Sequence, residues 1–254
     1  ILEWKKFAFG HTKIMYLSPE RLMQERMIKA LQKLNVGLFV IDEAHCISKW
    51  GPDFRPQYSE LSQLKKHFPN ANIAAFTATA DKATREDIVT QLSDKGFKTI
   101  VKGFDRPNLS LSVTEKIDIK NSLASMLQSK KGQSGIIYCL SRNEVDTTTL
   151  FLKDKGFNAI AYHAGKSTED RKKAQNRFMT ETAMIMVATI AFGMGVDKAD
   201  IRFAFHASLP GSIEAFYQEI GRAGRDNKES NTLLIFGYDD LFQRRRFIEE
   251  SNTQ

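Results

Sequence analysis

The sequence predicts an α/β protein made of two tandem lobes, each with a mostly parallel sheet flanked by helices. Short apolar runs alternate with amphipathic stretches along all 254 residues, and this alternation favours right-handed crossovers between parallel strands. The turn-rich residues 103–108 interrupt the alternation, which then starts again. A hydrophobic content of 42% and a charged content of 26% are those of a globular chain. We therefore predict lobes at residues 1–107 and 108–254.

Apolar runs and capping residues predict the elements of the first lobe. Residues 13–17 predict a strand, and Ser18-Pro19 then predicts the start of a helix that runs towards Lys33. The continuous apolar run at residues 36–41 is typical of a parallel strand buried on both faces. Further strands are predicted at residues 73–76 and 99–101, and a helix at 82–92.

The second lobe repeats the same pattern. Apolar runs predict strands at residues 135–139, 159–162, 184–188, 202–206 and 233–236. Amphipathic stretches predict helices at residues 143–155, 168–178 and 212–220.

The composition excludes several classes of protein. No run of 18 apolar residues occurs, so we expect no membrane partner. Cys46 and Cys139 are too few for a four-thiolate zinc site or a disulfide framework, and they fit a reducing cytoplasm. The net charge of +7 suits a polyanionic partner without identifying one. Because the chain does not begin with Met and carries no leader sequence, we expect it to start inside a longer protein.

Two adjacent acids follow the apolar run of the first lobe. Asp42 and Glu43 end this predicted strand, and Ala44 and His45 come directly after them. Ligands of open α/β sheets bind at the carboxyl ends of strands. A carboxylate there can hold Mg²⁺ through water, and a second one can orient or deprotonate an attacking water. A bare Asp-Glu pair could equally well just end a strand and cap the next element.

The next residues form an aromatic and basic loop. Trp50, Phe54 and Tyr58 lie among Arg55 and two prolines, which no core strand or helix would tolerate. Aromatic rings beside a guanidinium group suit base stacking together with neutralisation of a phosphate backbone. The alternative is a loop whose rings pack back under the lobe.

Asp42-Glu43-Ala44-His45 followed directly by this loop resembles the RecQ family of superfamily-two DNA helicases. Other helicases with the same four-residue box lack this continuation. The resemblance implies two RecA-like lobes, with a loop that senses single-stranded DNA and couples it to ATP hydrolysis. It also implies work on duplex or forked DNA in repair and recombination, and a location in the cytoplasm or, in a bacterium, at the nucleoid.

Several further motifs agree with this resemblance. Thr77 and Thr79 match the motif that links hydrolysis to DNA movement, although a threonine at a helix start is usually a cap. Residues 188–197 form a glycine-bearing loop after a strand, as at the family's lobe interface. Gly-Arg-Ala-Gly-Arg at residues 221–225 places two arginines three apart, so both can reach phosphate oxygens. An arginine finger contributes about 10³–10⁵ in rate to phosphoryl transfer.

The resemblance assigns roles to individual residues. Asp42 is expected to hold Mg²⁺ through water, Glu43 to position the attacking water, and Arg225 to act as the finger on ATP clamped between the lobes. The expected catalytic residues are Asp42, Glu43, His45, Gln218, Arg222 and Arg225. The expected nucleotide contacts are Asp42, Glu43, Gly195, Asp197, Arg222 and Arg225. The expected DNA contacts are Ser18, Arg21, Trp50, Phe54, Arg55, Tyr58, Thr77, Thr79, Ser141, Arg142, His163 and Thr189.

One motif of such an ATPase is missing from the sequence. A phosphate loop needs a second glycine five residues before Gly-Lys-Ser, and the single candidate, Gly165-Lys166-Ser167, has Ile160 there. It also lies in the second lobe, in register with the family's DNA-contacting turn. We therefore expect a first lobe that is incomplete at its N-terminus and a chain that is inactive alone.

Three other functions stay open at this point. The chain could be a helicase-like module that grips DNA without turnover, which a DNA-stimulated ATPase assay would test. It could be an RNA helicase of a related family, which a comparison of DNA and RNA stimulation would test. A nucleotide kinase built on Gly165-Lys166-Ser167 would require nucleotide protection of that segment.

Overall fold

The computed structural model describes residues 2–48, 55–93, 96–103, 105–190, 192–193 and 196–251. The chain divides into two compact units, Ile1–Lys102 and Gly103–Gln254. The division therefore falls after Lys102, whereas the sequence predicted it after Pro107.

The first unit is built on two parallel strands. Strand β1 pairs with β2 so that Leu38 lies opposite Asn72 and Ile41 opposite Ala75. The elements, in chain order, are α1 (Leu2–Ala8), α2 (Pro19–Leu22), α3 (Glu25–Leu31), β1 (Leu38–Ile41), a 3-10 helix (Ala44–Ile47), α4 (Pro56–Ser59), a 3-10 helix (Glu60–Gln63), α5 (Leu64–His67), β2 (Asn72–Ala75) and α6 (Lys82–Leu92).

The core of this unit lies on one face of β1. Phe39 and Ile41 pack into it, whereas Leu38 and Val40 point the other way and are 54% and 60% exposed. The prediction that β1 is buried on both faces is therefore wrong for the part of the unit that the structure describes. The apolar run reflects β-branched and aromatic preference for the strand as well as burial.

Three other predictions for the first unit are also wrong. Residues 13–17 and 99–101 are not strands. The helix expected to run towards Lys33 is two short helices, α2 and α3, separated at Met23 and Gln24. The helix predicted at residues 82–92 is confirmed as α6, whose N-cap Asp81 accepts a hydrogen bond from the Thr84 amide.

The second unit is a six-stranded parallel sheet with strand order β3-β8-β7-β4-β6-β5. Its elements are β3 (Leu109–Glu115), α7 (Ile119–Gln128), β4 (Ser134–Tyr138), α8 (Arg142–Asp154), β5 (Ala159–Tyr162), α9 (Thr168–Thr180), β6 (Ile185–Ala188), β7 (Ile201–His206), α10 (Ile213–Ile220), β8 (Ser230–Phe236) and α11 (Tyr238–Ser251).

Helices cover both faces of the second sheet. Alternate residues of β4 enter opposite cores: Ile137 packs with Leu123 of α7 and Val145 of α8, while Ile136 packs with Phe178 of α9. The predicted fold class, an α/β chain with parallel sheets flanked by helices, is confirmed. None of the helices among the described residues combines the length and the apolar character that crossing a bilayer requires.

Candidate functional site

The predicted acids lie at the carboxyl edge of the first sheet, in a segment that we call the acid turn (residues 42–47). Glu43 takes a left-handed backbone conformation with φ 50° and ψ 44°, which a non-glycine residue adopts at a cost. Its amide donates to Asp42 Oδ1 at 2.9 Å, and the Ala44 amide donates to the Phe76 carbonyl at 2.9 Å. These contacts leave Asp42 exposed and Glu43 half-buried at the end of β1.

His45 connects the acid turn to the strand end next to it. The ring is 2% exposed, and its Nδ1 lies 2.9 Å from Thr77 Oγ1 and 3.4 Å from Glu43 Oε2. Thr77 Oγ1 also accepts a hydrogen bond from the Thr79 amide at 3.3 Å. The structure thus brings Glu43, His45, Thr77 and Thr79 into one hydrogen-bonded group, because β1 and β2 are parallel and end in register.

Trp50 and Phe54 of the aromatic loop lie outside the described residues. Cys46 and Arg55, which lie on either side of these residues, are close together: the Arg55 amide donates to the Cys46 carbonyl at 3.1 Å. Tyr58 packs against the core of the first unit, and its burial raises the pKa of its hydroxyl. The hydroxyl of Ser48, at the start of the loop, donates to Asp87 of α6 at 2.6 Å. No motif in the sequence predicts this hydrogen bond.

Ser18 and Arg21, the other DNA contacts predicted for this unit, are exposed at the start of α2. Ser18 caps the helix by position rather than by a side-chain hydrogen bond. Its hydroxyl instead helps to lower the pKa of the exposed Glu20 carboxyl. Neither residue contacts the acid turn by a hydrogen bond or ion pair in the part of the chain that the structure describes.

The predicted arginines lie on a turn directly after α10, which we call the arginine turn (residues 221–225). Gly224 has a φ of +60°, and its amide donates to the Ile201 carbonyl at 2.9 Å. Arg106 Nη2 donates to the carbonyls of Ala223 and Gly224 at 3.1 and 2.9 Å. Asn108 Nδ2 also donates to the Gly224 carbonyl at 2.9 Å. Residues more than 100 positions away therefore fix the path of this turn.

The two arginines contact the glycine-bearing loop of the same unit. A methyl group on Gly193 would lie 2.9 Å from Arg222 Nη2, so the guanidinium group would have to shift to make room for it. Arg222 Nε is buried without a hydrogen-bond partner among the described residues. Arg225 Nη1 pairs with Asp197 Oδ1 at 2.8 Å. Gln218 lies on α10, one turn before Arg222.

The structure therefore places Arg222 beside Gly193 and Arg225 beside Asp197, on the same turn and loop of the second unit. Gly195, the remaining predicted nucleotide contact of this loop, lies outside the described residues. Thr189, the predicted DNA contact at its start, follows β6, and its backbone carbonyl accepts a hydrogen bond from the Phe192 amide at 3.0 Å.

His163 was predicted to contact a DNA backbone, and the structure places it in a hydrogen-bonded turn. The ring is 4% exposed. Its Nδ1 accepts from the Gly165 amide at 3.1 Å, so the ring proton lies on Nε2, which donates to Asp146 Oδ2 at 3.2 Å. Both ring nitrogens are thus engaged. Ser141 and Arg142 are exposed at the start of α8, where Ser141 forms a capping box with Glu144.

Gly165-Lys166-Ser167 is engaged in contacts within the protein. Lys166 Nζ pairs with Asp146 Oδ1 at 2.8 Å, and this hydrogen bond is the main reason for the lowered pKa of Asp146. The amides of Gly165 and Lys166 donate to His163, and Ser167 caps α9 by accepting from the Asp170 amide. These amides are therefore turned away from any cradle for phosphate groups, which disfavours a kinase built on this segment.

The acid turn carries a donor set that fits Mg²⁺ only in part. Among the residues that the structure describes, no three His, Cys, Asp or Glu side chains are grouped to hold a metal ion. Mg²⁺ commonly keeps several waters and binds to one or two carboxylates plus substrate phosphates. Asp42 and Glu43 fit that mode of binding, in which the nucleotide supplies the remaining ligands.

Two family models match the chain. The DEAD/DEAH box helicase model matches residues 2–88, and the helicase conserved C-terminal domain model matches residues 118–227. Among solved structures, yeast Dbp5 bound to RNA and ADP BeF3 is similar with a TM-score of 0.66 over 92% of this chain and 61% of that chain, at 18% identity. Helicase Lhr of Mycobacterium smegmatis has a TM-score of 0.64 over 91% of this chain and 32% of that chain, at 19% identity. At these identities the likeness concerns the fold alone.

Curated relatives are similar over most of the chain. The ATP-dependent DNA helicase RecQ of Haemophilus influenzae is 45% identical over 91% of this chain and 37% of its own length. The protein of the same name from Bacillus subtilis is 40% identical over 96% of this chain and 42% of its own length. The chain thus spans about two fifths of these bacterial relatives. With helicase family models matching both units, the chain belongs to the RecQ family of helicases.

Proposed function

We propose that this chain is the part of an ATP-dependent DNA helicase that couples ATP hydrolysis to movement along single-stranded DNA and to duplex unwinding. The observation that carries the proposal is the hydrogen-bonded group of Glu43, His45 and Thr77 in a chain of the RecQ family. This group links the two acids to the segment between β2 and α6, so a movement of the acids is transmitted to the end of β2.

The acid turn has the chemistry for nucleotide hydrolysis. Asp42, exposed at the end of β1, is proposed to hold Mg²⁺ through water, and Mg²⁺ when bound neutralises phosphate charge. Glu43 is proposed to orient the attacking water and accept its proton, because its carboxylate is accessible and lies beside the His45 ring. His45 keeps this carboxylate and Thr77 in a fixed relation.

The arginine turn has the chemistry to bind phosphate oxygens. The pair of Arg225 with Asp197 is exposed, and exposed pairs contribute only about 0–1 kcal/mol. A phosphate can therefore replace Asp197 at little cost, and we assign Arg225 as the finger. Arg222 is less exposed and packs over Gly193, which suits a fixed contact to the same nucleotide.

The proposed DNA contacts differ in kind. Arg55 and Arg142 are exposed cations suited to phosphates, and Trp50 and Phe54 supply rings for base stacking. His163 has no ring nitrogen left for a ligand, so we assign it the support of the turn that carries Lys166. Single-stranded DNA, and duplex or forked DNA as the unwinding substrate, are the proposed partners.

The test is Glu43→Gln in the complete gene product that contains this chain. We expect DNA-stimulated ATP hydrolysis to fall at least about 100-fold, because general base catalysis typically contributes about 10²–10⁴-fold. ATP and DNA binding should stay within about twofold, since the amide keeps the shape of the side chain. Glu86→Gln, an exposed change on α6, is the matched control and should leave turnover unchanged.

Three results would contradict the proposal. Hydrolysis at the wild-type rate in Glu43→Gln would remove Glu43 from its role. DNA binding without any ATP turnover in the wild type would identify a non-catalytic module. Stimulation by RNA above that by DNA would identify an RNA helicase.

We further propose that the 254-residue chain alone turns over ATP poorly, because its one Gly-Lys-Ser segment is held by His163, Asp146 and Asp170. Measuring ATP hydrolysis by the chain and by the complete gene product side by side tests this statement. Equal rates would contradict it.

A further inference from the structure

A buried polar group lies where two central strands of the second sheet end. Tyr138 is the last residue of β4 and His206 the last residue of β7, and they lie opposite each other in the parallel register. Their rings stack with centroids 4.9 Å apart and an interplanar angle of 23°. His206 is 1% exposed, so its ring lies fully inside the unit.

His206 attaches the last turn of α10 to the sheet. Its Nε2 lies 2.6 Å from Glu219 Oε2, and Glu219 is 7% exposed. The ring of Phe216, one turn earlier on α10, meets the His206 ring edge-on at a centroid distance of 5.0 Å. A hydrogen bond to a buried carboxylate contributes more than one between neutral groups, so this contact holds the last turn of α10 against the end of β7.

The arginine turn begins directly at this end of α10. The Arg222 amide donates to the Glu219 carbonyl at 3.4 Å, so Arg222 follows Glu219 by less than one helical turn. Beyond it, Arg106 and Asn108 hold the carbonyl of Gly224. The two arginines therefore lie between two anchors, and Glu219 is the anchor on the helix side.

Without the hydrogen bond to His206, the Glu219 side chain would have both space to move into and a positive charge to move towards. A cavity of about 270 Å³ lies beside the pair and is lined by both residues and by Arg244 of α11. Arg244 is held to the Leu209 carbonyl and carries a positive charge that attracts Glu219. A carboxylate without the His206 donor would turn to this guanidinium group and shift the end of α10 with it.

We propose that His206 is a positioning residue for the arginine turn: through Glu219 it sets Arg222 over Gly193 and Arg225 beside Asp197. The inference rests on the proposed function for the role of the arginines, but not for their placement. A histidine that only filled the core would be replaceable by any ring of similar size.

Two substitutions at His206 separate the hydrogen bond from the ring. His206→Phe keeps a ring to stack on Tyr138 and removes the donor. His206→Gln removes the ring and places an amide N–H near the position of Nε2. A positioning role predicts that His206→Gln restores what His206→Phe loses, whereas a space-filling role predicts the reverse.

The first measurement uses the 254-residue chain and needs no ATP turnover. The rate at which phenylglyoxal modifies Arg222 is followed by mass spectrometry, with Arg202, which pairs with Asp226 at 2.6 Å, as the internal reference. We expect a rise of at least threefold for Arg222 in His206→Phe and a change of less than 1.5-fold in His206→Gln. An unchanged rate in His206→Phe, or equal rises in both variants, would overturn the inference.

If a His206 variant fails to fold, the reactivity of Arg222 is measured in two Glu219 variants instead. Glu219→Gln keeps an acceptor for His206 Nε2 and should resemble the wild type, whereas Glu219→Met keeps the length of the side chain and should resemble His206→Phe. If Arg222 reacts alike in Glu219→Gln and Glu219→Met, Glu219 is not the anchor and the inference fails.

The second measurement uses the complete gene product. We expect kcat for DNA-stimulated ATP hydrolysis to fall about tenfold in His206→Phe, with KM for ATP within twofold and kcat restored to at least half in His206→Gln. A fall in both variants that only follows the folded fraction would overturn the positioning role. If the wild type lacks turnover but Arg222 reactivity changes as expected, the proposed function fails and the placement by His206 stands.

Discussion

The acid turn and the arginine turn are built in opposite ways. The acid turn follows one strand: Ala44 and His45 connect it to the strand end beside it, at Phe76 and Thr77, and the carbonyls of Cys46 and Ile47 accept from Arg55 and Gln91. The arginine turn is held by Arg106, Asn108 and Glu219, which belong to separate parts of the second unit. A strand end places short carboxylate side chains where ligands bind, whereas the long guanidinium side chains depend on a backbone that is held from several parts of the unit.

The strain differs as well. The acid turn places a non-glycine residue, Glu43, in the left-handed region, at a backbone cost that fits its proposed catalytic role. The arginine turn uses a glycine, Gly224, at the equivalent kind of backbone position and keeps its side chains in relaxed segments. We therefore expect the first turn to gain stability when Glu43 is replaced by glycine, whereas the second turn has no such strained side chain.

The largest effect is expected for Gly224→Ala. The new methyl group would overlap Asn108 Nδ2, lie 2.9 Å from the Lys228 carbonyl oxygen and impose a φ of +60° on alanine. We expect the free energy of unfolding of the second unit to fall by about 3 kcal/mol, the sum of backbone strain and overpacking. Urea unfolding of the 254-residue chain measures it.

Gly156→Ala is the matched control for this prediction. Gly156 has a φ of +82° and no atom within 4 Å of a new methyl group, so it isolates the backbone cost of about 1 kcal/mol. Equal losses in the two variants would show that the Asn108 anchor does not constrain the arginine turn.

A smaller change of opposite sign is expected for Glu43→Gly. Glycine adopts φ 50° without the clash of a Cβ atom, so the first unit should gain about 1 kcal/mol in its free energy of unfolding. ATP turnover of the complete gene product should be lost in the same variant. A loss of stability would show that the contact of Glu43 with His45 outweighs the backbone strain.

The smallest effect is expected for Asp197→Asn. Because the pair with Arg225 is exposed, its removal should change the free energy of unfolding by less than about 0.5 kcal/mol. Asp226→Asn breaks the less exposed pair with Arg202 and should cost more. If Asp197→Asn proved the more costly of the two, Arg225 would be held too firmly to exchange its partner for a phosphate.

The sequence predicted the elements whose signals are local. Strand β5 and helix α6 have the bounds that the apolar run and the N-cap residue Asp81 indicated. Strand β3 was missed because it is an edge strand whose residues are mostly exposed, so burial imposes little pattern on it. Residues 13–17 have the apolar character of a strand but take part in neither sheet.

The same division holds for the two turns. Asp42 and Glu43 were recognised because they are neighbours in the chain. The contact of His45 with Thr77 follows from the parallel pairing of β1 and β2. The pairs of His206 with Glu219 and of Arg106 with Gly224 depend on the strand order β3-β8-β7-β4-β6-β5, which one sequence does not reveal. The roles of the site residues themselves stay predictions.

The position of Arg106 and Asn108 has a practical consequence for dividing the gene. They lie only a few residues after Lys102, where the first unit ends, yet both donate hydrogen bonds to the Gly224 carbonyl. Cutting the reading frame after Pro107 would release Arg106 from the half that needs it, and beginning at residue 118 would discard Asn108 and strand β3 as well. A second half expressed from residue 103 keeps both hydrogen bonds to Gly224. The guanidinium groups of Arg222 and Arg225 should therefore stay beside Gly193 and Asp197.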